Sequence, residues 1–164
     1  REAEPEDAES MIAYLRQTAA ETHFMVRLPE EVDFTLEEEE RILRNIRKSD
    51  KDLMLAAFDG DRVVGNVGVH IFHDRTKVRH RSSLGIAIIQ EYCSSGLGTI
   101  LMERGIDFAK KAGFEQLELG VFADNDRALC LYKKMGFEEI GRIPRAFRLP
   151  DGSYIDEITM VKML

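Results

Sequence analysis

The alternation of apolar and polar residues divides the chain into helical and extended segments. Glu6 to about Thr18 places Met11, Ile12 and Leu15 on one face of a helix. A second helix opens at Thr35, where Thr35 and Glu38 have capping-box spacing, and runs to about Lys48 with Leu36, Ile42, Leu43 and Ile46 as its apolar stripe. The period then falls to two. Leu53 to Phe58 and Arg62 to Phe72 flank the turn Asp59-Gly60-Asp61 and predict a β-hairpin. Val78 to Ile89 predicts a further strand, in which Leu84, Ile86 and Ile88 alternate against Ser83, Gly85 and Ala87. After the glycine-bearing stretch Ser94 to Gly98, a helix reaches Lys111, with Ile100, Leu101, Ile106 and Phe108 as its buried side and Lys110, Lys111 and Gly113 marking its end. Phe114 to Val121 reads as a strand. A helix starts at Asp124 or Asn125 and stops at Met135-Gly136, and two strands, Phe137 to Arg148 and Ser153 to Met163, meet across Pro150-Asp151-Gly152. This order predicts a mixed sheet with one parallel core pair and helices on both sides.

Composition adds bounds to that picture. With 164 residues, 44% of them hydrophobic, the chain is long enough for one core. No repeat or break in composition marks a second unit. No run of about 18 apolar residues occurs, so no membrane association is expected. Cys93 and Cys130 lie far apart with no metal-like spacing, which reads as two free thiols in a reducing cytoplasm and no bound metal. The net charge of −7 argues against a nucleic-acid partner. Residues 1–40 carry three basic and thirteen acidic side chains, and the remainder is mildly basic. Such a distribution suits a cationic substrate and an anionic cofactor on different faces, or simply a solvated acidic helix surface.

Two segments carry candidate chemistry. Ile88 to Thr99 joins a strand to a helix, and Gly96 and Gly98 permit close approach of the backbone to a ligand. The free N–H groups of a first helical turn favour an anion, and a pyrophosphate is the natural guest. The commonest phosphate-binding patterns fit poorly. A dinucleotide fingerprint requires a small residue where Leu101 stands, and no Gly-Lys-Ser/Thr triplet occurs. In the second segment, Asn125 to Phe137, Asn125 is placed to cap a helix, and Tyr132 lies two turns along nearly the same face. A tyrosine hydroxyl there either protonates a leaving thiolate or packs in the core.

Together these segments resemble the GNAT superfamily of acetyl-CoA-dependent N-acetyltransferases, over Val63 to Met163. Ile86-Ala87-Ile88 resembles the strand end that pairs with pantetheine. Gly96-Leu97-Gly98 matches the closing half of the family's Arg/Gln-x-x-Gly-x-Gly/Ala loop. Asn125, Ala128, Leu131-Tyr132 and Gly136-Phe137 match its Asn-x-x-Ala-x-x-Leu-Tyr-x-x-x-Gly-Phe signature in order and spacing. The loop departs from the pattern at Cys93, where Arg or Gln is usual, and Ser94 and Ser95 follow. Backbone amides and serine hydroxyls must then carry more of the diphosphate.

The resemblance implies a single N-acetyltransferase domain over residues 1–164. Its fold would be an α/β (α+β) mixed, mostly antiparallel sheet of six to seven strands with helices on both faces. It also implies acetyl-CoA as co-substrate, held by Ile86, Ala87, Ile88, Cys93, Ser94, Ser95, Gly96, Leu97, Gly98, Thr99, Asn125 and Tyr132. The Ile88 N–H is expected to polarise the thioester carbonyl, and Tyr132 to protonate the thiolate. An amine substrate attacks directly in a ternary complex, and assembly as a homodimer is left open.

Related ribosomal-protein alanine acetyltransferases carry a glutamate where this chain has Gly120, and Glu118 is the expected substitute as base. His70, His80 and a water chain are the alternatives. Cys93 as a nucleophile has no partner base in the pattern. Thr22 to Met25, the second helix and the hairpin Arg145 to Tyr154 are expected to select the substrate. Glu21, Glu30 and Glu31 suit an ammonium group, whereas the arginines suit a carboxylate. A small amine or amino acid is the expected acceptor. A protein N-terminus or lysine, or a non-catalytic acyl-CoA sensor, is the alternative.

Overall fold

The computed structural model describes residues 1–164. Four helices, α1 (Ala8–Glu21), α2 (Leu36–Lys48), α3 (Leu97–Lys111) and α4 (Asp126–Lys134), pack on a sheet of six strands. The strands are β1 (Leu53–Asp59), β2 (Arg62–Ile71), β3 (Arg81–Ile88), β4 (Gln116–Phe122), β5 (Glu138–Arg148) and β6 (Tyr154–Met163), in the order β1-β2-β3-β4-β6-β5. Every neighbouring pair is antiparallel except β3 and β4. Residues 1–3 lie along β1 and add one bridge, Glu2 to Leu55. No helix is long and apolar enough to cross a membrane.

Strand parity sorts the core into two layers. Leu84, Leu117, Leu119, Val121, Ile158 and Met160 face α3 and α4, where they meet Leu101, Met102, Ile106, Tyr132 and Phe137. Ala56, Val63, Val64 and Ile89 face α1 and α2, where Met11, Tyr14 and Leu43 cover them. Each side chain sealed from water contributes about 1.5–3 kcal/mol of transfer free energy, so both layers are needed to hold the sheet. The Tyr14 hydroxyl donates to Asn66 Oδ1 at 2.8 Å, and burial pushes its pKa up, so it stays a neutral donor.

Several boundaries differ from the periodicity. Val78 to His80 belong to a turn rather than β3, because the Val78 N–H donates to the Arg75 carbonyl and the Arg81 N–H to the Val78 carbonyl. The buried stripe of α3 is Leu101, Met102, Gly105, Ile106 and Ala109, whereas Ile100 is 55% exposed. One step of the helix rotates Ile100 off the seam. In α2 the capping box forms as its spacing requires, with Glu38 N–H donating to Thr35 Oγ1 and Thr35 N–H to Glu38 Oε2. Its inward face, however, is Glu39 and Leu43, while Leu36 is exposed. Burial pushes the Glu39 carboxyl above the usual carboxylate range.

Gly105 sets how closely α3 approaches the sheet. A Cβ there would lie 3.0 Å from Val67 Cγ2 and 3.2 Å from Leu84 Cδ1, both on buried residues that have no room to yield. Gly105→Ala therefore gains helix propensity but overpacks the seam. The expected net result is a destabilisation of roughly 1–2 kcal/mol, read as a lower urea midpoint at unchanged m-value.

Candidate active site

The site begins with strand pairing that stops early. β3 and β4 pair only at Arg81–Gln116, Ser82–Leu117 and Ser83–Glu118. Both strands continue, β3 held by β2 as far as Ile88 and β4 by β6 as far as Phe122. The strands diverge beyond Ser83. The Ile89 N–H donates to the Val64 carbonyl at 3.1 Å, and antiparallel ladders alternate the direction of their bonds. The N–H groups of Ile86 and Ile88 consequently point away from β2, into the gap.

A cleft of about 560 Å³ occupies that gap. Gly85 to Ile88, Gln90 and Cys93 form one wall; Gly120, Val121 and Phe122 form the other. Asn125, Ala128, Leu131 and Tyr132 of α4 close one end, and Thr22, Phe24, Met25, Phe147 and Glu157 close the opposite one. His23 Nε2 lies 2.9 Å from Asp124 Oδ2. That contact ties the segment after α1 to the residues just before α4.

At the β3–α3 junction the backbone turns through Ser94 (φ 63°) and Gly96 (φ 90°). The N–H groups of Ser94, Ser95, Gly96 and Gly98 donate to no protein acceptor, and that of Leu97 reaches only Ser95 Oγ at 3.4 Å. This is a concave set of free donors at the start of a fifteen-residue helix. Gly98 has a packing role beside the one its motif suggests. A Cβ there would meet Leu131 Cδ2 at 3.1 Å and Ile88 Cδ1 at 3.5 Å, so its smallness packs α3 against α4 and β3. The Ser95 hydroxyl donates to the Tyr92 carbonyl at 2.7 Å, which leaves its lone pairs and the Ser94 hydroxyl toward the loop. Cys93 Sγ lies 3.6 Å from the Ile89 carbonyl and 3.8 Å from that of Ile88, as a weak donor with no base beside it.

Tyr132 is 7% exposed and lines the cleft. No buried side-chain oxygen or nitrogen lacks a partner, and the Tyr132 hydroxyl has none within the protein, so it opens into the cleft. Desolvation pushes its pKa up to about 12. It is therefore a protonated phenol at neutral pH. Asn125 caps α4, its Oδ1 accepting from the Ala128 N–H at 3.1 Å.

The sequence-predicted residues do not all converge. Ile86, Ala87, Ile88, Cys93, Asn125 and Tyr132 line the cleft, while Ser94, Ser95, Gly96, Leu97, Gly98 and Thr99 form the adjoining loop and first turn of α3. Glu118 lies elsewhere. It sits where β3 and β4 are still paired, and its carboxylate takes both Arg81 Nε and Arg81 Nη2, at 2.5 and 2.7 Å. His70 is paired with Asp52 and His80 lies in the turn before β3, so neither lines the cleft. Glu30 and Glu31 are also outside it, whereas Glu21 lines it and accepts from Gln90 N–H and Gln17 Nε2.

Phe24 and Phe147, from two of the segments expected to select the substrate, line the cleft together with Phe122 and Glu157. Phe122 stacks on Phe147 with ring centroids 3.6 Å apart and planes within 7°, and Phe24 approaches Phe122 edge-on at 5.9 Å. Glu157 seats over Gly120, its carboxylate occupying the place a Cβ there would take. The β4–β6 register sets Phe122 opposite Glu157, while Phe147 comes from β5 and Phe24 from the segment after α1.

Comparisons with known proteins agree with this architecture. The model of the acetyltransferase (GNAT) family matches residues 12–137. The L-amino acid N-acetyltransferase AaaT of Escherichia coli is 31% identical over 111 residues, 67% of each chain. Other curated acetyltransferases match over shorter stretches, 24% to 64% of their length. An acetyltransferase of the GNAT family from Streptococcus pneumoniae superposes over 100% of this chain and 98% of its own, with a TM-score of 0.95 and 34% identity. The yncA protein of Salmonella typhimurium, whose structure contains its cofactor acetyl-CoA, has the same fold, with a TM-score of 0.86 at 17% identity over 100% of this chain and 92% of its own.

The position of Glu118 gives a test. Glu118→Gln removes one side of a partly buried, bidentate ion pair, and a loss of about 1–2 kcal/mol is expected in thermal or urea unfolding. Arg81→Met in the same background should then cost little more, because the two effects share one interaction.

Proposed function

Since this chain belongs to the acetyltransferase (GNAT) family and is an acetyl-CoA-dependent N-acetyltransferase, we propose that its acceptor is the primary amine of a small molecule, attacked directly in a ternary complex. One observation carries the reading. The gap between β3 and β4 exposes the Ile86 and Ile88 N–H groups and the Tyr132 hydroxyl to a single cleft.

Acetyl-CoA, when bound, supplies an activated thioester. The free N–H groups from Ser94 to Gly98 hold the diphosphate. With Cys93 in place of a basic residue, these amides and the Ser94 hydroxyl carry that contact. The Ile86 N–H pairs with the pantetheine arm as a strand neighbour would. The Ile88 N–H donates to the thioester oxygen, where negative charge grows as the amine attacks, and a fixed donor there costs no reorganisation. The amine attacks as the neutral base after its ammonium form has released a proton to water. Tyr132 gives its proton to the departing sulfur as the C–S bond breaks, and the proton shed by the nitrogen of the new amide restores the phenol. Desolvation keeps this phenol protonated at neutral pH, so a proton donor stands ready beside the departing sulfur.

The aromatic wall formed by Phe24, Phe122 and Phe147 supports a small acceptor with an apolar body over a polypeptide.

Thiol release measured over amines, amino acids and short peptides tests the assignment, and turnover confined to peptides would overturn it. Tyr132→Phe is expected to lower kcat by roughly 100-fold, with acetyl-CoA affinity unchanged in calorimetry. An unchanged kcat, with chemistry shown to be rate-limiting, would remove the acid role.

A further inference from the structure

The acceptor end of the cleft holds one carboxylate that the fold does not use. Of the four that line the cleft, Glu21 accepts from Gln90 and Gln17, and Asp124 is paired with His23. Asp126 belongs to the first turn of α4, where a carboxylate complements the helix dipole. Glu157 remains. It takes no hydrogen bond or ion pair from the protein, whereas its neighbour Asp156 is engaged by the Arg145 N–H at 2.8 Å and by Arg142 at 3.6 Å.

The position of Glu157 follows from a glycine on the neighbouring strand. Leu117, Leu119 and Val121 turn toward α3 and α4, so Gly120 and Phe122 face the opposite side of the sheet. The antiparallel register sets Glu157 opposite Phe122, on that same side. Any side chain at Gly120 would collide with the Glu157 carboxylate, whose Cδ lies 2.8 Å from the Cβ position. The glycine is thus the space into which the β6 glutamate folds. The carboxylate reaches the cleft from β6 rather than from β4.

Around it the wall is aromatic. Phe122 and Phe147 stack face to face, and Phe24 closes on Phe122. A carboxylate beside aromatic faces is suited to an ammonium carried on an apolar body, since both attract the cation. The one cationic side chain lining the cleft is Arg127, on α4. Arg145 stacks on Tyr154 outside it, and Arg142 and Arg148 do not line it either. No cation therefore stands on the wall around Glu157 to receive a carboxylate.

From this arrangement we propose that Glu157 receives the acceptor's ammonium group. The acceptor is then a primary amine on an apolar or aromatic body, with no carboxylate beside the amine. The proposal rests on the acetyl-transfer reading above and narrows it.

The test compares amines with the amino acids that carry the same body: 2-phenylethylamine with phenylalanine, tyramine with tyrosine, and isoamylamine with leucine. Thiol release by the wild-type protein is expected to give the amines a kcat/KM at least tenfold above their partners. Glu157→Gln should lower kcat/KM for the amines by roughly 10- to 100-fold, mainly through KM, with acetyl-CoA affinity unchanged in calorimetry. Restoring a carboxylate from the neighbouring strand, as Gly120→Glu in a Glu157→Ala background, should recover part of the loss. A merely structural glutamate would show no such rescue. Amino acids used as well as their matched amines, or an unchanged kcat/KM in Glu157→Gln, would overturn the proposal while leaving acetyl transfer intact. If the wild type binds acetyl-CoA yet releases thiol with no amine, the reading beneath it fails and the proposal fails with it.

Discussion

The functional architecture depends on hydrogen bonds that the sheet leaves unmade. An unpaired buried backbone donor costs about 1–3 kcal/mol, and a parallel pair that stops after Ser83 and Glu118 leaves several such groups facing a gap. The cost is tolerable because each strand is fully paired on its other side, β3 with β2 and β4 with β6. The α3 and α4 side chains Leu101, Leu131 and Tyr132 pack the near face of the divergence. The strands are thus held apart by the rest of the fold, and the donors they expose are fixed before any ligand arrives. Fixed donors in a partly dry cleft are the most effective kind for stabilising charge that develops only during reaction.

Small residues place the surrounding groups. Gly96 adopts a left-handed conformation that turns the chain into α3, and Gly98 lets Leu131 approach the helix so that α4 and Tyr132 sit beside the gap. Gly105 brings α3 onto Val67 and Leu84. Gly120 leaves a hollow on the opposite face, which the Glu157 carboxylate fills. The first three position the α3 and α4 side of the cleft, and the fourth shapes the opposite face.

Charge is distributed unevenly around the cleft. The donors at the start of α3 are backbone amides without a protein acceptor. The carboxylates Glu21, Asp124, Asp126 and Glu157 line the cleft against the single cation Arg127. The acidic excess of residues 1–40 is otherwise spent at the surface. Glu37 and Glu38 lie in the first turn of α2, where they complement the helix dipole, and Glu39 alone is buried.

How much of this was legible follows from the range of the interactions involved. The Thr35 capping box, the Asp59-to-Asp61 hairpin turn, the Asn125 cap and the glycine-bearing loop before α3 are built from neighbours in the chain. Their residues predict them directly. In α2 the period gave Leu43, Ile42 and Ile46 but not the exchange of Leu36 for Glu39, because which of these two turns inward depends on what covers the helix. Glu118 looked available for chemistry until its cross-strand partner Arg81 was known. That Gly98 also makes room for Leu131 was not legible in its motif, because the two lie on different helices.

By itself, then, the sequence determined the elements, the mixed sheet and the family, since these rest on local propensity and on motifs with rigid spacing. Only the tertiary structure decided where the parallel pairing ends, that Tyr132 opens into the cleft, and that Glu157 takes the space left at Gly120. Those facts depend on register and packing between strands far apart in the chain, and a one-residue slip would turn each side chain to the other face.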